Sequence, residues 1–105
     1  MLQLIKKVLG LGPKADLKAL VQEGAVIVDV RTKGEYQTGH IRGSINIPLQ
    51  SLQGNLSKLN KNKAIITCCA SGMRSASAKS ILKGAGFPEV HNGGGWMSLQ
   101  TKISN

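Results

Sequence analysis

The sequence predicts a single α/β domain built on a parallel sheet. Two short, β-branched apolar runs, Ala25–Val30 and Lys63–Cys69, are the right length for strands buried on both faces. Stretches with helical spacing alternate with them, the pattern of βαβ units. A chain of 105 residues has room for one core and no second.

The elements follow in order. Residues 16–23 read as the first clear helix, with Asp16 as N-cap, Leu17, Leu20 and Val21 on one face, and Gly24 as the stop. The first strand comes next. Polar residues 33–38 predict one helical turn. Ser44 to Ile47 predict a short strand closed by Pro48, which cannot donate to a ladder. Residues 49–60 are weakly helical, with Leu49, Leu52, Leu56 and Leu59 on a rough apolar face. After the second long strand and a short loop, a helix is expected from about Ser75 to Leu82, striped by Ala78, Ile81, Leu82 and Ala85 and stopped by Gly84, Gly86 and Pro88. Glu89–Asn92 read as the last strand, Gly93–Gly95 as a flexible turn, and Trp96–Leu99 as a final short segment. Residues 1–12 form an N-terminal extension. Met1, Leu4, Ile5 and Val8 fall at helical spacing there, which predicts a short helix lying on the domain of residues 13–105.

The formal charge is +9, from 14 Lys and Arg against 5 Asp and Glu, which favours anionic partners. The charges are scattered rather than gathered into a basic arm. One Phe, one Trp and one Tyr are too few for a base-stacking platform, so nucleic acid is not an expected partner. No apolar stretch is long enough to span a membrane, and the start lacks the unbroken apolar core of a secretory signal. Cys68 and Cys69 are adjacent and unsuited to a relaxed disulfide. Free thiols suit a reducing compartment, so a cytoplasmic location is expected.

The chemistry concentrates where the second strand ends. Cys69 is followed by Ala70, Ser71, Gly72, Met73 and Arg74, and then by a helix. A helix start presents unpaired N–H groups and positive potential, which bind anions and lower a thiol pKa. Gly72 lets the loop curl, and Arg74 adds a permanent charge with a fork of donors. Successive strand side chains alternate faces. Cys68 is therefore expected in a packed layer and Cys69 at the opening of the loop, where greater exposure favours it as the nucleophile.

These residues and three further segments together resemble the rhodanese family over residues 15–100. The segments are Val28-Asp29-Val30-Arg31 with Glu35-Tyr36, then Gly39-His40-Ile41 with Gly43 and Asn46-Ile47-Pro48, and Gly93-Gly94 after the last strand. The loop Cys69-Ala70-Ser71-Gly72-Met73-Arg74-Ser75 matches the family's active-site loop and helix start. The resemblance implies a rhodanese-like small parallel sheet flanked by helices on both faces. It implies a thiosulfate sulfurtransferase in which Cys69 alternates between thiolate and persulfide. The amides of Ala70, Ser71, Gly72, Met73 and Arg74 would ring the sulfur, with no metal or organic cofactor. It also implies a small anionic sulfur donor, a thiol or acceptor protein as partner, and a monomer. Asp29, Arg31 and Glu35 look like a structural network, His40 and His91 like hydrogen-bonded structural histidines, and Trp96 like a packing residue near the rim. Cys68 departs from the aromatic or aliphatic residue usual at its position.

Two other classes stay open at this level. Counted from Cys68, five residues precede Arg74, the separation of cysteine phosphatases and arsenate reductases. Against this, the glycine falls one place late and no loop acid is present to protonate a leaving group. A non-catalytic sulfur-carrier or binding module of the same fold is the other alternative.

Overall fold

The computed structural model describes residues 15–104. The expected helix over residues 1–12 lies outside them. The described chain runs α1 (Leu17–Gln22), β1 (Val26–Asp29), α2 (Lys33–Thr38), β2 (Ile45–Asn46), two 3₁₀ segments (Leu49–Ser51 and Gln53–Lys58), β3 (Ile65–Cys69), α3 (Met73–Gly84), β4 (Val90–Gly95) and α4 (Trp96–Ile103). The four strands are parallel, in the order β2-β1-β3-β4. No described helix is long and apolar enough to cross a membrane.

β3 sits between β1 and β4 and is buried at all five positions, as its unbroken apolar run requires. Its side chains alternate between two cores. On one face Ile65 and Cys69 pack with Val28, Leu52, Leu82 and Phe87. On the other Ile66 and Cys68 pack with Ile27, Ile41 and Leu99, with Leu17, Leu20 and Trp96 against them. α3 and the 3₁₀ segments cover the first face, and α1 and α4 the second. Helices on both faces thus follow from apolar residues on both sides of the central strands.

Local signals hold at most boundaries. Asp16 caps α1 by accepting from the Ala19 N–H at 3.1 Å. Thr32 and Glu35 close a capping box on α2 that the sequence reading did not include. Residues 49–60 carry 3₁₀ turns rather than an α-helix, and Asn55 breaks helical geometry in the middle. α3 begins two residues earlier than expected because Gly72, with φ of 112°, serves as its N-cap. The final segment extends to Ile103.

The three glycines after Asn92 are a correction. Gly93–Gly95 continue β4 and are not a free turn. A Cβ on Gly93 would stand 2.8 Å from the Thr67 carbonyl oxygen, 2.8 Å from Leu99 Cδ2 and 2.9 Å from Ile66 Cγ2. A Cβ on Gly95 would meet the Ala70 carbonyl oxygen at 2.9 Å. Here the glycines allow backbones to approach closely. The ladder shifts register between Thr67 and Cys69, where this approach occurs.

Gly93→Ala is therefore expected to lower stability by about 2 kcal/mol through overpacking, with Tm falling by about 10 °C. Gly84→Ala, whose Cβ would meet nothing within 4 Å, is expected to raise stability by about 0.5 kcal/mol through helix propensity. Scanning calorimetry of both variants checks the pair, and equal melting points would show that β4 does not need the close approach.

Candidate functional site

The site forms where β3 ends. Cys69 is the last strand residue, Ala70–Gly72 turn the chain, and α3 starts at Met73. Gly72 takes the left-handed conformation that L side chains resist, which turns the chain from the loop into α3, and its N–H points back at Cys69. Cys69 Sγ accepts from the Gly72 N–H at 2.9 Å and from the Ser75 N–H at 3.4 Å. It also lies 3.5 Å from Ser75 Oγ. Burial pushes the Cys69 thiol pKa up. The Ser75 hydroxyl and the amides of Ser75, Gly72 and Ser71 outweigh that and hold it below the ordinary thiol range.

Cys68 has the opposite environment. It sits on the other sheet face among Ile27, Ile41, Ile66 and Leu99. Burial, with the Asp29 carboxylate added, pushes its pKa up to about 12. The expected ground for preferring Cys69, its greater exposure, is absent. Cys69 is 1% exposed and Cys68 0%, so exposure does not separate them. Convergent hydrogen-bond donors do.

Arg74 also differs from expectation. Its guanidinium grips the Glu35 carboxylate with both arms, Nη1 to Oε1 at 2.7 Å and Nη2 to Oε2 at 3.0 Å. Its charge therefore reaches Cys69 through space, and part of that charge is offset by Glu35. The Arg74 fork, with the Thr32 backbone N–H, holds Glu35 down at about 2. Glu35 thus joins two sets of residues. Its side chain binds Arg74, while its carbonyl accepts from Arg31 Nη1 at 3.2 Å.

Beneath this lies the buried Asp29–Arg31 pair. Arg31 Nη2 meets Asp29 Oδ2 at 2.8 Å and also donates to the Gly39 carbonyl at 2.7 Å. The guanidinium stacks over Trp96, 4.7 Å from the ring centroid. Asp29, Arg31 and Glu35 thus belong to one hydrogen-bonded network, with Trp96 packed against the Arg31 guanidinium. Both histidines lie within hydrogen-bond reach of a partner. His40 Nδ1 lies 2.8 Å from the Tyr36 carbonyl oxygen, and His91 Nε2 lies 2.9 Å from Glu89 Oε2. Among the described residues, no three His, Cys, Asp or Glu side chains stand together as metal ligands.

Of the loop residues, Ala70, Ser71 and Met73 are exposed, Met73 most of all at 82%. The hydrogen bonds to the sulfur come from Gly72 and Ser75, and the Ser71 amide adds to their pull on the thiol. Two contributors were missing from the expected site. Ser75 is buried, and its hydroxyl lies 2.6 Å from Asn92 Oδ1 and 3.0 Å from the Gly72 carbonyl oxygen. Asn92 Oδ1 accepts in turn from the Gly94 N–H at 2.9 Å. Ser75 could have been found as the first-turn hydroxyl facing back to the strand end. Asn92 has no local signal, because its role comes from β4 lying beside β3.

The chain is similar to known proteins in sequence and in fold. Residues 13–102 match the model of the rhodanese-like domain. The chain is 33% identical over 87 residues to thiosulfate sulfurtransferase GlpE of Pseudomonas savastanoi pv. phaseolicola, covering 83% of this chain and 82% of the relative. It is 37% identical over 70 residues to thiosulfate sulfurtransferase PspE of Escherichia coli, covering 65% and 67%. A solved structure, the rhodanese with anions from E. coli, superposes with a TM-score of 0.68 at 34% identity, covering 71% of this chain and 91% of that one. With the fold and the sequence in agreement, the chain belongs to the rhodanese-like domain family.

Proposed function

We propose that the protein is a thiosulfate sulfurtransferase that carries sulfur on Cys69. The observation that carries this reading is the convergence of the Gly72 and Ser75 amides on Cys69 Sγ, at 2.9 and 3.4 Å. Neutral donors fixed by the backbone stabilise an anionic sulfur without side-chain reorganisation. The similarity to relatives named thiosulfate sulfurtransferases supports the same reading.

In this cycle the Cys69 thiolate attacks the outer sulfur of thiosulfate. A new S–S bond forms, the donor's own S–S bond breaks, and its electron pair leaves with sulfite. Cys69 then holds a persulfide. An acceptor thiolate, or cyanide, attacks the terminal sulfur and returns the electron pair to Cys69. This is covalent double displacement, and the two half-reactions use the same pocket. A reducing compartment such as the cytoplasm would keep the thiol available. The rival nucleophile, Cys68, is disfavoured by its raised pKa and its place in the opposite core.

Intact-mass spectrometry after incubation with thiosulfate tests the assignment. Wild type and Cys68→Ser are expected to gain one sulfur atom, and Cys69→Ser none. Hydrolysis of an aryl phosphate that depends on Cys68 would overturn it.

The pH dependence has a defined sign. The Cys69 pKa is depressed, so the thiolate fraction, and with it the alkylation rate by iodoacetamide, should rise with pH around a midpoint below that of a free thiol. Ser75→Ala removes the hydroxyl that lies 3.5 Å from Sγ and helps to hold the thiol pKa down, and should move the midpoint up. An unmoved midpoint would show that the Ser75 hydroxyl does not bear on the sulfur.

A further inference from the structure

The Ser75 hydroxyl has more acceptors around it than it has hydrogens. Its Oγ lies 2.6 Å from Asn92 Oδ1, 3.0 Å from the Gly72 carbonyl oxygen and 3.5 Å from Cys69 Sγ. A serine hydroxyl donates one hydrogen and accepts through two lone pairs. Ser75 is fully buried, so bulk water takes no share. The Gly72 carbonyl already accepts from the Ala76 N–H at 3.1 Å. The contest for the hydrogen is therefore between Asn92 and the sulfur.

Asn92 is placed both to hold the hydrogen and to release it. Its contact is the shortest of the three and lies within the range of an O–H···O bond. The Asn92 backbone stands opposite Thr67 in the ladder of β3 and β4, and Thr67 Oγ1 donates to the Ser75 carbonyl at 2.8 Å. One pair of strands thus fixes both ends of the contact. The Gly94 N–H reaches the same Asn92 Oδ1 at 2.9 Å. That oxygen keeps a donor when the hydroxyl turns away, so turning costs it no orphaned acceptor.

The direction of the hydroxyl follows the charge on the sulfur. When Cys69 is a thiol, its S–H donates to Ser75 Oγ, and the Ser75 hydrogen points to Asn92. When Cys69 loses its proton to solvent, Sγ becomes an acceptor and Ser75 can turn its hydrogen to it. No proton leaves Ser75 in either state.

We infer that Asn92 is a positioning residue for sulfur transfer: it competes with Cys69 for the Ser75 hydrogen, limits how far the hydroxyl stabilises the thiolate, and so balances sulfur uptake against delivery. The inference rests on the reading of Cys69 as the sulfur carrier. A more stabilised thiolate is a weaker nucleophile and a better leaving group. In uptake, Cys69 attacks thiosulfate, and sulfite leaves with the electron pair of the broken S–S bond. In delivery, the acceptor attacks the terminal sulfur, and the electron pair returns to Cys69 Sγ. A hydroxyl given wholly to Sγ would slow the first step and speed the second.

Other charged and titratable groups surround this contact without passing through Ser75. Arg74 of α3 bears on Cys69, and Glu35 of α2 shares that charge. Asp29 of β1 is paired with Arg31, and Cys68 lies on the opposite face of β3. On β4, Glu89 and His91 pair with each other. Lys18, Lys79 and Lys102, with Asp16, line the hollow that Asn92 also borders. Neither Asn92→Ala nor Ser75→Ala alters any of these, so a double-mutant cycle isolates the hydroxyl.

The test is the pH midpoint of Cys69 alkylation by iodoacetamide, measured in Cys68→Ser protein so that one thiol reports. Asn92→Ala should lower the midpoint, because the closest rival for the Ser75 hydrogen is gone. In Ser75→Ala protein the same substitution should leave the midpoint unmoved. An equal shift in both backgrounds would overturn the inference, and so would no shift in either. Asn92→Asp keeps an acceptor for the Gly94 N–H and holds the Ser75 hydrogen more firmly. It should raise the midpoint further with Ser75 present than with Ser75→Ala, and it decides the question should Asn92→Ala fail to fold. In single turnovers at a pH where Cys69 is fully ionised, Asn92→Ala should slow uptake from thiosulfate and speed delivery to cyanide, each by about twofold. Changes of both steps in the same direction would overturn the balance. Failure of the wild type to take up sulfur would defeat the sulfurtransferase reading, and the alkylation midpoints would still decide whether Asn92 acts through Ser75.

Discussion

The buried ion pair between Asp29 and Arg31 is the constraint on which the rest of the site rests. Both side chains are almost fully removed from water, at 0% and 4% exposure. Such a pair is tolerated only when further hydrogen bonds satisfy what water would have held. Here they do. Arg31 Nε and Nη2 fill the carboxylate, Nη2 and Nη1 hold the Gly39 and Glu35 carbonyls, and the Arg31 N–H returns to Asp29 Oδ1. Asn46 Nδ2 donates to the carbonyls of Asp29 and Arg31 from the neighbouring strand. No buried side-chain polar atom among the described residues is left without a partner. The pair thus fixes both ends of α2 relative to β1. Removing one member would leave a buried charge unpaired, which costs about 3–5 kcal/mol.

From that anchor the constraint passes to the cysteine loop. α2 presents Glu35, Glu35 holds the Arg74 fork, and Arg74 lies in the first turn of α3, whose opening amides meet Cys69. The other side of the loop is set by backbone contact. Gly95 passes so close to the Ala70 carbonyl that no side chain would fit between them. Asn92 ties Ser75 to β4 across the same gap. Three neighbouring strands therefore hold one loop. The sulfur's hydrogen-bond donors sit on main chain that has little freedom to move.

This division explains how much was legible in the chain alone. The two apolar runs, the Asp16 cap and the Gly72 turn are local signals, and each led to the right element. The position of Cys69 at a strand end before a helix was legible for the same reason. The role of Gly93–Gly95 was not. Three consecutive glycines look like a loop until the Thr67 carbonyl and the Leu99 side chain are placed against them. The exposure argument for Cys69 failed in a similar way. Alternation along β3 separates the faces of the two cysteines, yet both faces are covered, so the difference lies in hydrogen bonding that depends on the loop's path. Glu35 gripping Arg74 spans 39 positions of sequence and Asn92 meeting Ser75 spans 17. Neither contact has a periodicity to announce it.

The electrostatics of the pocket bear on what such a site does well. Arg74 shares its charge with Glu35, so the field at Cys69 comes largely from neutral dipoles, the loop amides and the Ser75 hydroxyl. In the proposed cycle the resting thiolate and the loaded persulfide carry the same single negative charge. Dipoles aimed at the sulfur would therefore stabilise both forms to a similar degree and favour neither strongly. A strong unpaired cation would instead bind the anionic donor and the departing sulfite tightly, and slow release would follow. Pairing Arg74 with Glu35 moderates that attraction near the mouth, while the lysines elsewhere on the surface still raise the local concentration of anions. For the proposed cycle this arrangement suits a cysteine that must both accept sulfur and give it up, because the same dipoles serve the thiolate and the persulfide alike.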